Sequence, residues 1–367
     1  MKERLWSLDA LRGFDMFFIT GGAGIISGLC AALGCGECWL AQQMHHVPWS
    51  GLAHHDTIFP LFLFLAGVSW PFSYAAQVER GRTPWQIHFK IIRRMAVLVL
   101  FGFFCGHLLA FKETFRIPSV LGQIGLSWGF AAMIFMHVRR PVLRGLVIAG
   151  LLVGSWAVLG FVGAPDAPAG ADLYSKEWNV ISWLDRTLMP NYIYQKGVYD
   201  PESLFAVPAG VALALLGMTA GGVIRSDRWS PGRRSAVLLG LSVLTLSAGL
   251  VFIYGLGMPI VKALWTSSFV LVAAAYSFAM LALFYWIVDV KGCRRWTFYF
   301  RVIGMNSITI YMLMNMGVIA ALYKYFFSGL VGHVSAPWTD FAGAVALQAT
   351  CWLVLFCLYR KNVFLKV

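Results

Sequence analysis

Charge is scarce in this chain. Asp, Glu, Lys and Arg together make up 12% of its 367 residues, while 59% are hydrophobic. Soluble globular chains carry about 25% charged and about 45–50% apolar residues, so a soluble enzyme is excluded. Intrinsic disorder, which needs low hydrophobicity and high charge, is excluded by the same figures. Acids are scarcer still, 16 against 29 Lys and Arg, for a net charge of +13. Internal repeats and low-complexity tracts are absent, and no inverted repeat of the kind that marks many secondary transporters is evident. What remains is a set of apolar runs of spanning length. They predict an all-α, polytopic helical membrane protein, with about ten transmembrane helices near 13–33, 57–77, 92–111, 119–137, 145–163, 203–224, 235–255, 267–288, 302–322 and 341–359. The whole chain, 1–367, reads as a single transmembrane domain.

The basic residues orient these spans. When the connecting segments are assigned alternately to two sides, one side holds only Lys112, Arg116, Lys176, Arg186, Lys196, Lys262 and Lys324. All the other Lys and Arg fall on the side that also holds both termini. Cytoplasmic loops carry the excess of Lys and Arg, so both termini are expected in the cytoplasm. A basic excess of this size in a soluble chain would suggest nucleic acid; scattered over six segments, it does not. The first span has a basic start and a small-residue end, as a signal peptide does, but Asp15 interrupts it. It is therefore expected to be retained.

The outward loops 34–56 and 164–202 are the unusual segments. The first contains no Lys or Arg but carries His45, His46, His54, His55 and Asp56, four of the chain's eight histidines. Histidine titrates near neutrality and suits a base, a nucleophile or a metal ligand. Cys35 and Cys38 stand just upstream in a C-x-x-C pattern, so a zinc site is one reading. A disulfide using Cys30, Cys35 and Cys38 in some pairing is another. Acyl transfer is a third, with a histidine as general base or acyl carrier and Asp56 orienting its imidazole. Asp56 also reads as a helix cap, which is compatible with that role. Loop 164–202 is long and rich in Trp and Tyr. It reads equally as a platform for a sugar ring or as an amphipathic segment on the membrane surface.

The segment His46-Val47-Pro48-Trp49-Ser50-Gly51-Leu52, followed by Asp56 and by Ile58-Phe59-Pro60-Leu61-Phe62, resembles the H-x-x-W-x-G-L…D-x-x-F-P-x-F signature of the heparan-α-glucosaminide N-acetyltransferase family. Six more segments resemble that family in order: Ser7–Gly13, Arg116–Leu121, Tyr199–Glu202, Lys262–Thr266, Asp289–Gly292 and Gly304–Ile308. The Cys35-Gly36-Glu37-Cys38 stretch has no counterpart in the family pattern, and Thr20 aligns loosely where the family carries an Asn.

The resemblance implies transfer of acetyl from cytosolic acetyl-CoA, as co-substrate, to the amine of a terminal glucosamine on the outer side. It implies His46 and Asp56 as catalytic residues. Arg12, Arg94, Arg301 and Asn306 are expected on the acetyl-CoA side, because guanidinium groups suit phosphates. Trp49, Asp200, Glu202 and Trp265 are expected to contact the amino-sugar or oligosaccharide. No resident metal is expected. O-acetylation of a surface glycan stays open, because L-D-x-L-R-G is shared with polysaccharide O-acyltransferases. A transporter or metal-handling protein built on the Cys/His cluster stays open as well. Membrane lipids are expected partners, nucleic acid is not, and a homodimer is left open. The short loops imply a bacterial inner-membrane location.

Overall fold

A computed structural model describes residues 5–105, 116–190, 192–194 and 197–365. Residues 106–111 of the third expected span lie outside the described residues, as do Lys2, Arg4, Lys112, Lys196 and Lys366. No β-strand occurs among the described residues; two isolated bridges, Ser50 with Val261 and Gly163 with Asn179, are the only sheet-like pairings among them. The fold is all-helical.

Eight helices among the described residues are long and apolar enough to cross a membrane: Trp6–Ala32, His54–Glu79, Val120–His137, Pro141–Phe161, Leu204–Arg225, Pro231–Gly255, Ser267–Val290 and Thr339–Arg360. A ninth crossing is formed if Ser307–Asn315 and Val318–Gly332, bent by 77°, are counted together. Helix Pro84–Cys105 covers the described part of the third expected span, and Lys90, Arg93 and Arg94 keep it out of the apolar set. The expected span 302–322 is not one helix. It is interrupted at Asn306 and again at Gly317, which takes a left-handed conformation (φ 76°) that glycine adopts without strain.

Local chemistry sets several helix starts. Ser119 accepts a hydrogen bond from the Gly122 amide, Asn179 from Ser182 and Ser230 from Arg233, each satisfying a donor that the first turn leaves open. Pro141 and Pro231 occupy first positions, where a missing N–H costs nothing.

The chain divides into two compact units. The first takes in the chain up to Val47, Ala53–Ile58 and the part from Met280 onward; the second takes Pro48–Leu52 and Phe59–Ala279. In the first unit, Trp6–Phe17 crosses Thr297–Gly304 with the backbones nearly touching. A Cβ at Gly13 would fall on the Phe300 carbonyl, and one at Gly304 on the Asp9 carbonyl. Two of the motif segments are thus joined by a small-residue crossing, the usual means of close helix approach in lipid. The first span is not a simple helix. At Phe18–Gly22 it opens into a π-turn, where the Ala23 amide bonds the Phe18 carbonyl and Gly21 leaves helical geometry (φ 149°). Beyond that turn, Ala23–Ala32 packs on Thr339–Arg360.

In the second unit, Val120–His137 packs between Pro84–Cys105 and Val207–Arg225. Trp128 is buried there, edge-on to Trp70 at 5.3 Å and under the Arg94 guanidinium at 4.1 Å. Within the long segment 164–202, the described residues carry helix Val180–Leu188, whose Val180, Ile181, Ser182 and Asp185 are buried.

Candidate functional site

In the first unit, helix His54–Glu79 begins where the chain returns from the histidine-rich loop. Gln43 prepares that beginning: its side-chain oxygen accepts the His54 amide (2.9 Å) and its carbonyl accepts the His55 amide (3.0 Å). Asp56 is the third residue of the helix. Its Oδ2 reaches back to the Ala53 amide (3.1 Å) and to the Val47 amide (3.3 Å). This is the return half of a capping box, an acid at the third helical position closing on the residue before the helix. The expected capping role is therefore met from inside the helix, not from its flank.

The other oxygen, Oδ1, lies 2.7 Å from His46 Nδ1. The Asp56 side chain is only 1% exposed, whereas that of His46 is 57% exposed. A buried acceptor thus holds one edge of an imidazole that is itself more than half exposed. A carboxylate can only accept, so Nδ1 carries the hydrogen and the lone pair falls on Nε2. That is the tautomer a general base or an acyl carrier needs. The His55 ring stands 4.5 Å from the His46 ring, and the His54 ring lies edge-on to Phe18 at 4.4 Å. Beneath them Met44 and Ile58 pack with Phe18 and Ala23. An apolar floor of this kind holds the segment carrying His46 against the start of the helix.

The same unit holds Thr20, Arg12, Arg301 and Asn306. Thr20 is fully buried, with its hydroxyl 2.8 Å from Gln348 Oε1; Gln348 Nε2 donates to the Tyr299 hydroxyl at 2.8 Å. Gln348 was not among the expected site residues, although an amide in an apolar span is the signal that finds it. Arg12 lies 3.9 Å from Asp9, and Arg301 stacks over Trp6 at 3.6 Å, with no partner for its Nε among the described residues. Asn306 uses its amide on the chain itself, donating to the Val363 carbonyl (2.9 Å) and accepting from the Leu365 amide (3.3 Å). Arg94, the fourth residue of that expected set, lies in the second unit against Trp128.

The second unit gathers the residues expected to meet an acceptor. Trp49 donates its indole N–H to the Tyr174 carbonyl (2.8 Å), sits edge-on to Tyr199 at 4.9 Å and is faced by Lys176. Asp200 and Glu202 are both bound by Arg116, so two motif segments far apart in sequence meet in one ion-pair group. Burial alone would lower the Arg116 pKa. The hydrogen bond to Asp200 and the charges of Glu202 and Asp200 outweigh it and hold the guanidinium more firmly protonated.

Asp200 also accepts the Tyr194 amide (2.8 Å). Its own amide donates to Asp185, which accepts the Ser203 hydroxyl at 2.8 Å. Burial pushes the Asp185 carboxyl up to about 7; the Ser203 hydrogen bond opposes the shift and the Asp200 charge adds to it. Sequence reading did not single out Asp185. Trp265 is 1% exposed, in a left-handed conformation (φ 49°), packed against Phe59 and Phe269. Its indole N–H has no partner among the described residues.

No protein-family model matches the chain. Across its full length it is 25% identical over 426 aligned residues to the heparan-alpha-glucosaminide N-acetyltransferase of Homo sapiens. It is 24% identical over 421 residues to the enzyme of the same name from Mus musculus. The chain covers 62% of each of these relatives, less than two thirds of their length. Both alignments run the whole length of this chain.

Proposed function

We propose that the protein is a transmembrane N-acetyltransferase that moves acetyl from acetyl-CoA to the amine of a glucosamine-type sugar. The observation that carries this reading is the His46–Asp56 pair at 2.7 Å, with the acid buried and the imidazole open. The names of the two relatives point to the same chemistry.

In this reading the acceptor amine attacks the thioester carbonyl. The C–N bond forms, the C–S bond breaks, and the amine proton passes to His46 Nε2 and from there to the departing CoA thiolate. Alternatively, Nε2 attacks the thioester first, its N–C bond forming as the C–S bond breaks and CoA leaves as the thiolate; the amine then takes the acetyl from Nε2, and the proton it sheds passes through the freed imidazole to solvent, from which the thiolate is protonated. Asp56 holds the ring in the required tautomer and stabilises the imidazolium that forms. Arg12 and Arg301 of the first unit are suited to the CoA phosphates, because guanidinium groups bind phosphate oxygens in pairs. Trp49 offers an indole face to a sugar ring, and the acids Asp200 and Glu202, held by Arg116, shape its surroundings. The charge asymmetry of the loops supports cytoplasmic termini and an outward His46.

The test is transfer of labelled acetyl from acetyl-CoA to glucosamine, and separately to a heparan-type oligosaccharide, by the full chain in nanodiscs. Transfer that disappears in His46→Ala supports the reading. Equal transfer by wild type and His46→Ala, or acetylation of sugar hydroxyls only, overturns it.

A further inference from the structure

The insertion that the family pattern does not explain is where the structure brings three thiols together. Helix Ala23–Ala32 ends in a Schellman turn. The Gly34 amide donates to the Ala31 carbonyl (3.0 Å) and the Cys35 amide to the Cys30 carbonyl (2.8 Å). Gly34 takes the left-handed conformation that this motif needs (φ 76°). In such a turn the third residue from the helix end and the second residue beyond the cap residue, here Leu33, come into contact, often as a hydrophobic pair. Here those two positions are Cys30 and Cys35. One further turn, closed by the Cys38 amide on the Cys35 carbonyl (3.0 Å), brings back Cys38. The three Sγ atoms lie within 4.8 Å of one another. Cys30 is buried at the base, Cys38 is half-buried and Cys35 is exposed at the mouth.

We propose that Cys30, Cys35 and Cys38 form a three-sulfur binding site for a thiophilic metal ion of the Cu(I) type. Metal–sulfur bonds of about 2.3 Å set three thiolates around one ion about 4 Å apart, so the thiols already stand close to the required spacing. Soft thiolates favour Cu(I), zinc and iron–sulfur clusters; three sulfurs fall one short of the four ligands that a structural zinc takes, whereas Cu(I) is satisfied by sulfur alone. The backbone fixes two of the three positions through the helix cap, so binding requires only rotation of side chains. Each thiol loses its proton as its S–metal bond forms, and no electron changes hands. The site uses no residue of the His46–Asp56 pair and does not depend on the proposed acetyltransferase activity.

The experiment titrates Cu(I), under anaerobic reducing conditions, into the full chain in detergent, against wild type, Cys35→Ser, Cys38→Ser and the double variant. The readouts are bound copper per chain and protection of Cys35 from alkylation. The expected result is one Cu(I) per wild-type chain, affinity reduced at least tenfold in each single variant, and alkylation of Cys35 blocked by the metal. Cys35 is exposed, so its replacement by serine leaves folding intact, and size-exclusion profiles verify that for all variants. Uptake unchanged in the folded double variant overturns the proposal. So does a Cys30, Cys35 or Cys38 disulfide that forms in air and persists when Cu(I) and reductant are supplied.

Discussion

Asp56 divides its two oxygens between chemistry and architecture: Oδ1 holds the His46 ring at 2.7 Å, and Oδ2 holds the amides of Val47 and Ala53. The residue that sets the tautomer thus also fixes the chain on both sides of the histidine. Replacement by asparagine separates these jobs. An amide oxygen still accepts the backbone N–H groups, but the amide nitrogen donates to Nδ1 and moves the ring hydrogen to Nε2. Asp56→Asn should therefore keep the fold and lower kcat by about 10²–10⁴-fold, the usual range for general acid–base catalysis. Asp56→Ala should lose activity and melt earlier as well. Steady-state kinetics beside thermal unfolding checks both; a fully active Asp56→Asn would remove Asp56 from the reaction.

Arg116 compensates two carboxylates at once. Removing one partner of a buried ion pair leaves uncompensated charge, at a cost of about 3–5 kcal/mol. Arg116→Ala should lower the unfolding midpoint sharply. Arg116→Lys should recover only part of the loss, because an ammonium cannot match the paired N–H groups of guanidinium. Denaturant or thermal melts of both variants decide this; a wild-type melt for Arg116→Ala would mean that the ion pairs carry no net stability.

Stability should also depend on pH through Asp185. Its carboxyl is pushed up to about 7 in the folded chain, whereas an unfolded chain releases that proton near pH 4. Between these values the folded state binds more protons than the unfolded state, so stability falls as pH rises. The contribution is complete below about pH 4 and lost above about pH 7. Melting midpoints measured from pH 5 to 8.5 should decline for wild type and flatten for Asp185→Asn. Parallel curves for the two proteins would show that Asp185 does not titrate in this window.

The crossing at Gly13 and Gly304 leaves no space for a side chain. Overpacking a tight interior costs about 1–3 kcal/mol, and backbone atoms cannot yield as a flexible side chain can. Gly304→Val should reduce the yield of monodisperse protein and lower its melting temperature more than Gly145→Val, whose Cβ would meet open space. Size-exclusion chromatography and thermal melts of the two variants make the comparison.

Much of the helix plan was legible because apolar runs of spanning length have one physical solution in lipid, where every backbone group must bond within the chain. The ninth run was read as one helix because apolar composition conceals a break; its bend depends on Gly317 adopting a conformation that sequence alone only permits. His46 and Asp56 were legible as a motif, but the apolar run that starts after Asp56 put the acid ahead of the helix as its cap, whereas the helix begins two residues earlier and holds it in the first turn. The partners of Arg116 were not legible, since nothing local links residue 116 with 200 and 202. Thr20 and Gln348 meet across 328 residues, and the only advance signal was an amide in an otherwise apolar span. Asp185 was passed over because, in a loop rich in polar residues, one more acid carries no mark of burial.

The π-turn at Phe18–Gly22 inserts an extra residue into the first span, and each residue of a helix turns its successors by about 100°. It therefore acts as a phase setting. Upstream, Gly13 faces Phe300; downstream, Gly28 meets the backbone of Phe341. A one-residue deletion within the turn would leave the composition of the span almost unchanged and its hydropathy intact. Yet it would swing Gly24 and Gly28 off the helix they face and present bulkier neighbours in their place. In this protein a short bulge keeps two contact faces of a single helix in step.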